Sequence, residues 1–234
     1  MKLIIINKLT NLKLMFGNCV YLKNIEELKY LYTEELIDCK GMFCECESLP
    51  NLNGLENFNV SKCKSFSRMF QNCKSLTNIN AIENWDVSKG ISFSRMFAGC
   101  INLRDIKVFR NWDVINVDNY QYMFFNCSSL REIKALKNWK VSKGKDFMEM
   151  FSGCSSLVNI KPLMNWDVSN VKNFNSMFKG CMNLSNLEGL ENWNVSKGIG
   201  FSSMFENCSS IKDLKPLKNW DFSKAESFYN MFKR

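Results

Sequence analysis

The sequence contains no histidine. That absence removes the side chain most often used as a general base near neutral pH, the usual serine or cysteine triad, and most catalytic zinc sites. No apolar run approaches the roughly 18 to 20 residues that a membrane-spanning helix needs. The opening MKLIIINKLT holds only four consecutive strongly apolar residues, short of the roughly 7 to 15 of a signal-peptide core. The compartment is therefore open, with an intracellular one slightly favoured. No Cys-x-x-Cys pair occurs, which sets aside the common zinc and dithiol motifs, and no change of composition marks a linker or a second domain.

What is present is a core. A chain of 234 residues, 46% hydrophobic and with 19 Phe, can bury substantial apolar surface and should fold. Its net charge of +8 makes acidic proteins, anionic lipids or nucleic acid the partners to weigh, although a lysine-rich surface is also simply a soluble one.

The chain is periodic throughout. Trp85, Trp112, Trp139, Trp166, Trp193 and Trp220 lie 27 residues apart, with Phe58 in the same place one unit earlier. Met-Phe pairs recur at the same interval from Met15 to Met231, and cysteine follows each except the last: Cys19, Cys46, Cys73, Cys100, Cys127, Cys154, Cys181 and Cys208. Such a period marks a repeat solenoid, here one domain over residues 1–234 with about nine coils and partial repeats at both ends.

Within a unit, Gly54, Ala81, Val108, Ala135, Pro162, Gly189 and Pro216 occupy one place. Proline and glycine there oppose a continuous helix, which predicts short parallel strands around Leu-x-x-Ile and Trp-x-Val. Ser65, Ser92, Asn119, Asp146, Asn173 and Ser227 precede the first Phe of Phe-x-x-Met-Phe, and Asn or Gly precedes most ladder cysteines. These read as start and stop signals for a short helix whose Phe, Met and Phe face the core. The asparagine before each Trp predicts an amide ladder joining the coils, and the Asp-Val-Ser after it a turn.

These motifs resemble a known family. Phe-x-x-Met-Phe-x-x-Cys-x-x-Leu-x-x-Ile, as in residues 93–106, is similar to the signature of the BspA-type leucine-rich repeat, and Asn84-Trp85-Asp86-Val87-Ser88 to its mycoplasma-type surface-protein variant. The resemblance covers almost the whole chain. It implies an α/β, leucine-rich-repeat-like right-handed solenoid, with adhesion or protein binding as its role. The chain shows neither the secretion or lipoprotein start nor the anchor of surface members of that family.

In a solenoid the recurring residues build the core, so specificity resides in the outward positions that vary. Between the core Leu and the Asn, the middle units carry Arg104, Lys107, Arg110, Arg131, Lys134, Lys137 and then Lys161. The same places hold Glu56 and Glu83 before, Glu188 and Glu191 later, and Lys212, Lys215 and Lys218 at the end. If the coils align, a basic patch with acidic flanks results, suited to an acidic protein surface. Nucleic acid is the weaker partner, because the aromatics that would stack on bases occupy core positions. A second stripe, Lys62, Lys89, Lys143, Lys197 and Lys224, follows the turn and reads as solubility chemistry.

The ladder cysteines read as small buried hydrophobes. Cys39 stands in a Phe place and Cys63 in the place of Gly90, both as core or turn substitutions, while Cys44, at a variable place, is the candidate exposed thiol. Neither a metal nor a cofactor is expected. The period runs back to Ile4 and Ile6 and forward to Phe232, so neither end shows a polar capping repeat, and self-association through the ends is a further expectation. The function read from the sequence is a non-enzymatic protein-interaction module, the alternative being an adhesin-like surface protein or a self-associating structural protein.

Overall fold

The computed structural model describes residues 8–234; the apolar places at Ile4 and Ile6 lie outside them. Parallel bridges join residues one period apart, from Ser65 to Ser92, then Asn119, Asp146, Asn173, Gly200 and Ser227. Asn11 and Asp38 extend the same row, and Asn51 pairs with Asn78 elsewhere on the coil. The chain is therefore a stack of coils in register with the repeat.

The local structure is neither of the kinds expected. Among the described residues there is no α-helix and no strand beyond an isolated bridge. Over the Phe-x-x-Met-Phe segment, alternate N–H groups leave the coil altogether. Phe66 donates to the Ser92 carbonyl at 3.0 Å, Arg68 to Ser94 at 2.9 Å, Phe70 to Met96 at 2.9 Å and Asn72 to Ala98 at 2.7 Å. The intervening Met69, Gln71 and Cys73 close three-residue turns on Phe66, Arg68 and Phe70. An α-helix would direct every one of these donors to the residue four before it.

Two left-handed residues per coil permit this course. Arg68 has φ 59° and Asn72 φ 57°, and the pattern recurs at Arg95 and Gly99, Tyr122 and Asn126, Glu149 and Gly153. Each is the third residue of a turn, where a type II turn requires positive φ. Asn and Gly adopt it readily, whereas Arg, Tyr and Glu do so at a cost of about 1 to 2 kcal/mol, sustained by the bonds to the next coil. The predicted helix start is a turn start instead: Asn119 Oδ1 accepts the Gln121 N–H at 3.0 Å and Asp146 Oδ1 the Met148 N–H at 2.9 Å.

The Leu-x-x-Ile and Trp-x-Val segments expected to be strands form none among the described residues, and between them lie short 3-10 helices, Asn80–Ile82, Lys107–Asn111, Lys134–Asn138, Lys161–Asn165 and Lys215–Leu217, with Glu26–Tyr30 in the first coil. Pro162 and Pro216 fall in the first turn of theirs, where a missing N–H has no intrahelical partner to lose. In the Gly54 and Gly189 coils the segment is a single hydrogen-bonded turn instead, with the glycines at φ 107° and 102°. A Cβ at Gly54 would lie 2.2 Å from the Ile25 carbonyl oxygen, so the bare backbone permits that close approach.

The core is columnar. Phe16, Phe43, Phe70, Phe97, Phe124, Phe151, Phe178, Phe205 and Phe232 form a near-parallel stack with ring centroids 5.3 to 6.1 Å apart. Two donors per coil then bind it to the coil before. The cysteine thiols donate to phenylalanine carbonyls at 3.0 to 3.3 Å, as Cys154 does to Phe124. The indole N–H groups of Trp85 to Trp220 donate to carbonyls of the preceding coil at 2.8 to 3.2 Å.

The expected asparagine ladder is absent. Asn84, Asn111, Asn138, Asn165, Asn192 and Asn219 are exposed, and none of their amides bonds to protein among the described residues. The indole beside each already fills that inter-coil role from inside the core. The Asp-Val-Ser element does make its turn, with the Ser88 N–H donating to Asp86 Oδ1 at 3.0 Å.

Candidate functional site

Stacking in register places Arg104 beside Arg131, Lys134 between Lys107 and Lys161, and Arg110 beside Lys137, and all seven side chains are exposed. The adjacent 3-10 helices Lys107–Asn111, Lys134–Asn138 and Lys161–Asn165 pack on one another and carry five of the seven cations. The patch anticipated from the sequence is thus one contiguous surface.

Its charges are not equally available. Lys107 meets Asp105 at 3.3 Å and Lys134 meets Glu132 at 2.9 Å, each two residues back in the same turn. Arg110 reaches Glu83 at 2.8 Å and Lys161 reaches Glu188 at 3.4 Å, in neighbouring coils. Exposed pairs of this kind contribute only about 0 to 1 kcal/mol each, so a partner can exchange them cheaply. Arg104, Arg131 and Lys137 have no ion pair among the described residues. The two arginines border an open groove of about 730 Å³ that also includes Ser129, Ser156, Val158 and Asn183. A smaller hollow of about 360 Å³ adjoins it, where Asp105 and Glu132 sit among Arg104, Lys107, Arg131 and Lys134.

Two guanidiniums one coil apart, flanked by hydroxyls and an amide, can hold a carboxylate or another oxyanion by charge-assisted hydrogen bonds. The second lysine stripe is largely engaged within the fold: Lys62 pairs with Glu35 at 2.8 Å, and Lys143 and Lys197 donate to the Asn116 and Asn170 amide oxygens at 2.6 and 2.7 Å.

A second surface was not anticipated. On the turn face the Arg95 guanidinium lies 4.1 Å from the centre of the Tyr122 ring, and Phe125 meets that ring edge-on at 5.7 Å. Partial burial, then the Glu149 carboxylate, pushes the Tyr122 hydroxyl above its usual range. The signal in the sequence is an aromatic at two places, those of Tyr122 and Phe125, that hold no aromatic in any other unit.

Burial holds most of the ladder thiols in their protonated form. Burial pushes the Cys46 and Cys208 thiols up to about 12 and raises Cys73, Cys100, Cys127, Cys154 and Cys181 as well. Cys44 is half-buried and its thiol is also raised by burial, whereas Cys19, expected in the buried ladder, is exposed. Cys19 belongs to the first described coil, with no described coil below it. Among the described residues no group of three or more His, Cys, Asp or Glu side chains could hold a metal ion, and no helix is long and apolar enough to cross a membrane.

A solved structure, that of the T. pallidum leucine-rich repeat protein TpLRR, is similar at 20% identity over 70% of this chain and 79% of that one, with a TM-score of 0.38. No curated protein matches the chain. The family described as "Mycoplasma protein of unknown function, DUF285" matches residues 10–133, 37–160 and 132–234. Those overlapping matches together span the stack, and the chain belongs to that mycoplasma repeat family.

Proposed function

We propose that this chain is a non-enzymatic protein-interaction module whose middle coils receive an acidic segment of another protein. The observation that supports this reading is the pairing of Arg104 with Arg131 beside an open groove, both exposed and without an ion pair among the described residues. Like charges side by side on adjacent coils are unfavourable until screened or matched, so an anionic partner gains from both at once. The four neighbouring ion pairs supply further cations on exchange. Capture from native extract tests it with wild type and a folded Arg104→Glu, Arg131→Glu, Lys137→Glu variant. A partner held by wild type, lost by the variant and released by salt supports the reading; equal retention by both rejects it.

A second reading, self-association, rests on the outermost described coils. The N–H groups of Phe228, Asn230, Phe232 and Arg234 and the carbonyls of Asn11, Lys13, Met15 and Gly17 have no backbone partner among the described residues. These are the donor and acceptor places that join every intervening coil. Beside the donors, Leu214, Leu217, Phe222, Phe228, Met231 and Phe232 line an apolar hollow of about 460 Å³.

A further inference from the structure

Two adjacent columns on the outside of the middle coils hold polar groups that the fold leaves free. Ser128 and Ser155 each open a pair of serines, and both hydroxyls are tied to the coil before, Ser128 to the Ile101 carbonyl at 3.3 Å and Ser155 to the Ser128 carbonyl at 3.4 Å. The second serines, Ser129 and Ser156, are half-buried, and neither hydroxyl bonds to protein among the described residues. Asn183 continues their column one coil further, exposed and with its amide equally free. Two residues along each coil, Arg104, Arg131 and Val158 form the neighbouring column. All six of these side chains border the one groove.

The composition of that lining selects among anions. Neither arginine has an ion pair among the described residues, because Asp105 and Glu132 turn onto Lys107 and Lys134 in the adjoining hollow. Coils in register stand about 4.8 Å apart, so the guanidiniums and the serine hydroxyls converge within the span of one small anion. A carboxylate brings a single charge and two oxygens in one plane. A phosphomonoester brings a charge of about −1.5 to −2 and three acceptor oxygens, which can engage a guanidinium from each of two coils and still accept from a serine. Half-buried Val158 ends the cation column and gives the carbon next to a phosphoryl group an apolar neighbour. A polynucleotide would call for aromatic platforms among the cations, and the lining has none.

We propose that the Arg104–Arg131 groove is a binding site for a phosphorylated serine or threonine side chain of a partner protein. This rests on the reading of the middle coils as the receiver of an acidic segment, and names the group they recognise. Phosphorylation of the partner then controls its docking. The charged side chains around the groove and its adjoining hollow are Arg104, Arg131, Lys107, Lys134, Asp105 and Glu132, and the chain has no histidine. Over the range from about pH 7.5 to 5.5 the ionisation that changes is therefore the second one of the phosphoryl group, near pH 6. Binding weakens as pH falls through that value, whereas a glutamate in the same place keeps its charge.

Equilibrium binding of fluorescein-labelled peptides to the full chain, followed by anisotropy, tests the assignment. The peptides share one acidic sequence and differ only at its centre, which is phosphoserine, glutamate or serine. The phosphoserine peptide should bind at least about tenfold more tightly than the glutamate peptide at about pH 7.5, the scale of one charge-assisted hydrogen bond, with a smaller margin at about pH 5.5. A folded Arg104→Gln, Arg131→Gln variant should lose the margin. Lys212→Gln, Lys218→Gln, which removes equal charge from the last coil, should keep it. Equal binding of the phosphoserine and glutamate peptides overturns the phosphoryl assignment and leaves the acidic-partner reading standing. No binding of any peptide also overturns it, and capture from extract then decides the acidic-partner reading by itself. A margin that survives in the arginine variant, or tighter binding of an oligothymidylate or of phosphatidic acid vesicles than of the phosphoserine peptide, would overturn it as well.

Discussion

The indole Nε1 of Trp139 donates to the carbonyl oxygen of Phe109 at 2.8 Å, reaching from one coil into the one before. That same carbonyl also closes the turn onto the Trp139 coil's predecessor by accepting the Trp112 N–H at 3.2 Å. Trp139→Phe keeps an aromatic ring but removes the inter-coil donor. It should destabilise the chain by about 1 to 2 kcal/mol, and Trp139→Ala by about 3 to 5 kcal/mol. Urea unfolding followed by circular dichroism measures both, and a Trp139→Phe protein as stable as wild type would count against the indole as an inter-coil tie.

Thiol accessibility should follow position in the stack. In native protein, a thiol-exchange reagent should modify Cys19 first and Cys44 more slowly, leaving Cys73 to Cys208 unreactive until the chain unfolds. Rapid native labelling of Cys127 or Cys154 would contradict their burial.

The same burial sets a pH dependence. The unfolded chain gives up its cysteine protons near pH 8.5, whereas folded Cys46 and Cys208 hold theirs to about 12. Their contribution is thus fully present below the unfolded value and is lost as pH rises toward the folded one. The urea midpoint should be flat with respect to these groups between pH 6 and 8 and fall steadily above about pH 9; a midpoint that rises over that upper range would refute the assignment.

Ser176 sits at φ 56° with no side-chain hydrogen bond among the described residues. Ser176→Gly relieves the left-handed conformation and should stabilise by about 0.5 kcal/mol after the added freedom of the unfolded chain is counted. Ser176→Val, branched at Cβ, should destabilise by more than about 1 kcal/mol. Thermal unfolding of the pair distinguishes a turn-built coil from a helical one, in which valine would be mildly unfavourable and glycine the worse choice.

Association through the ends predicts a mass that grows with concentration in light scattering. Phe232→Glu, placed in the apolar hollow of the last coil, should hold the protein at its smallest size. A wild-type chain that remains monomeric at millimolar concentration would dismiss this reading.

The stack and its core membership were legible in the residues, because a pattern repeated at a fixed interval is satisfied by laying equal coils on one another. Phe66, Met69, Phe70 and Cys73 were read as inward-facing, and they are buried. Their spacing could not distinguish a helix from a run of turns, since both place these positions on one side. The decision came from hydrogen bonds that each coil makes with the next, which are absent from any single unit. The amides before the tryptophans failed as a ladder for a related reason: the indole reaches the neighbouring carbonyl first.

The candidate site divides in the same way. Sequence alone determined the period, the columns and the alignment of the middle-coil cations, because register follows from repetition. Only the tertiary structure decided that Asp105 and Glu132 turn back onto Lys107 and Lys134, leaving Arg104, Arg131 and Lys137 uncommitted. It also decided that the indole of each tryptophan, and not the amide of the asparagine before it, bonds to the preceding coil. Both outcomes depend on how a side chain leaves a particular turn and what stands in the coil beside it, and those are distances that a one-dimensional pattern does not contain.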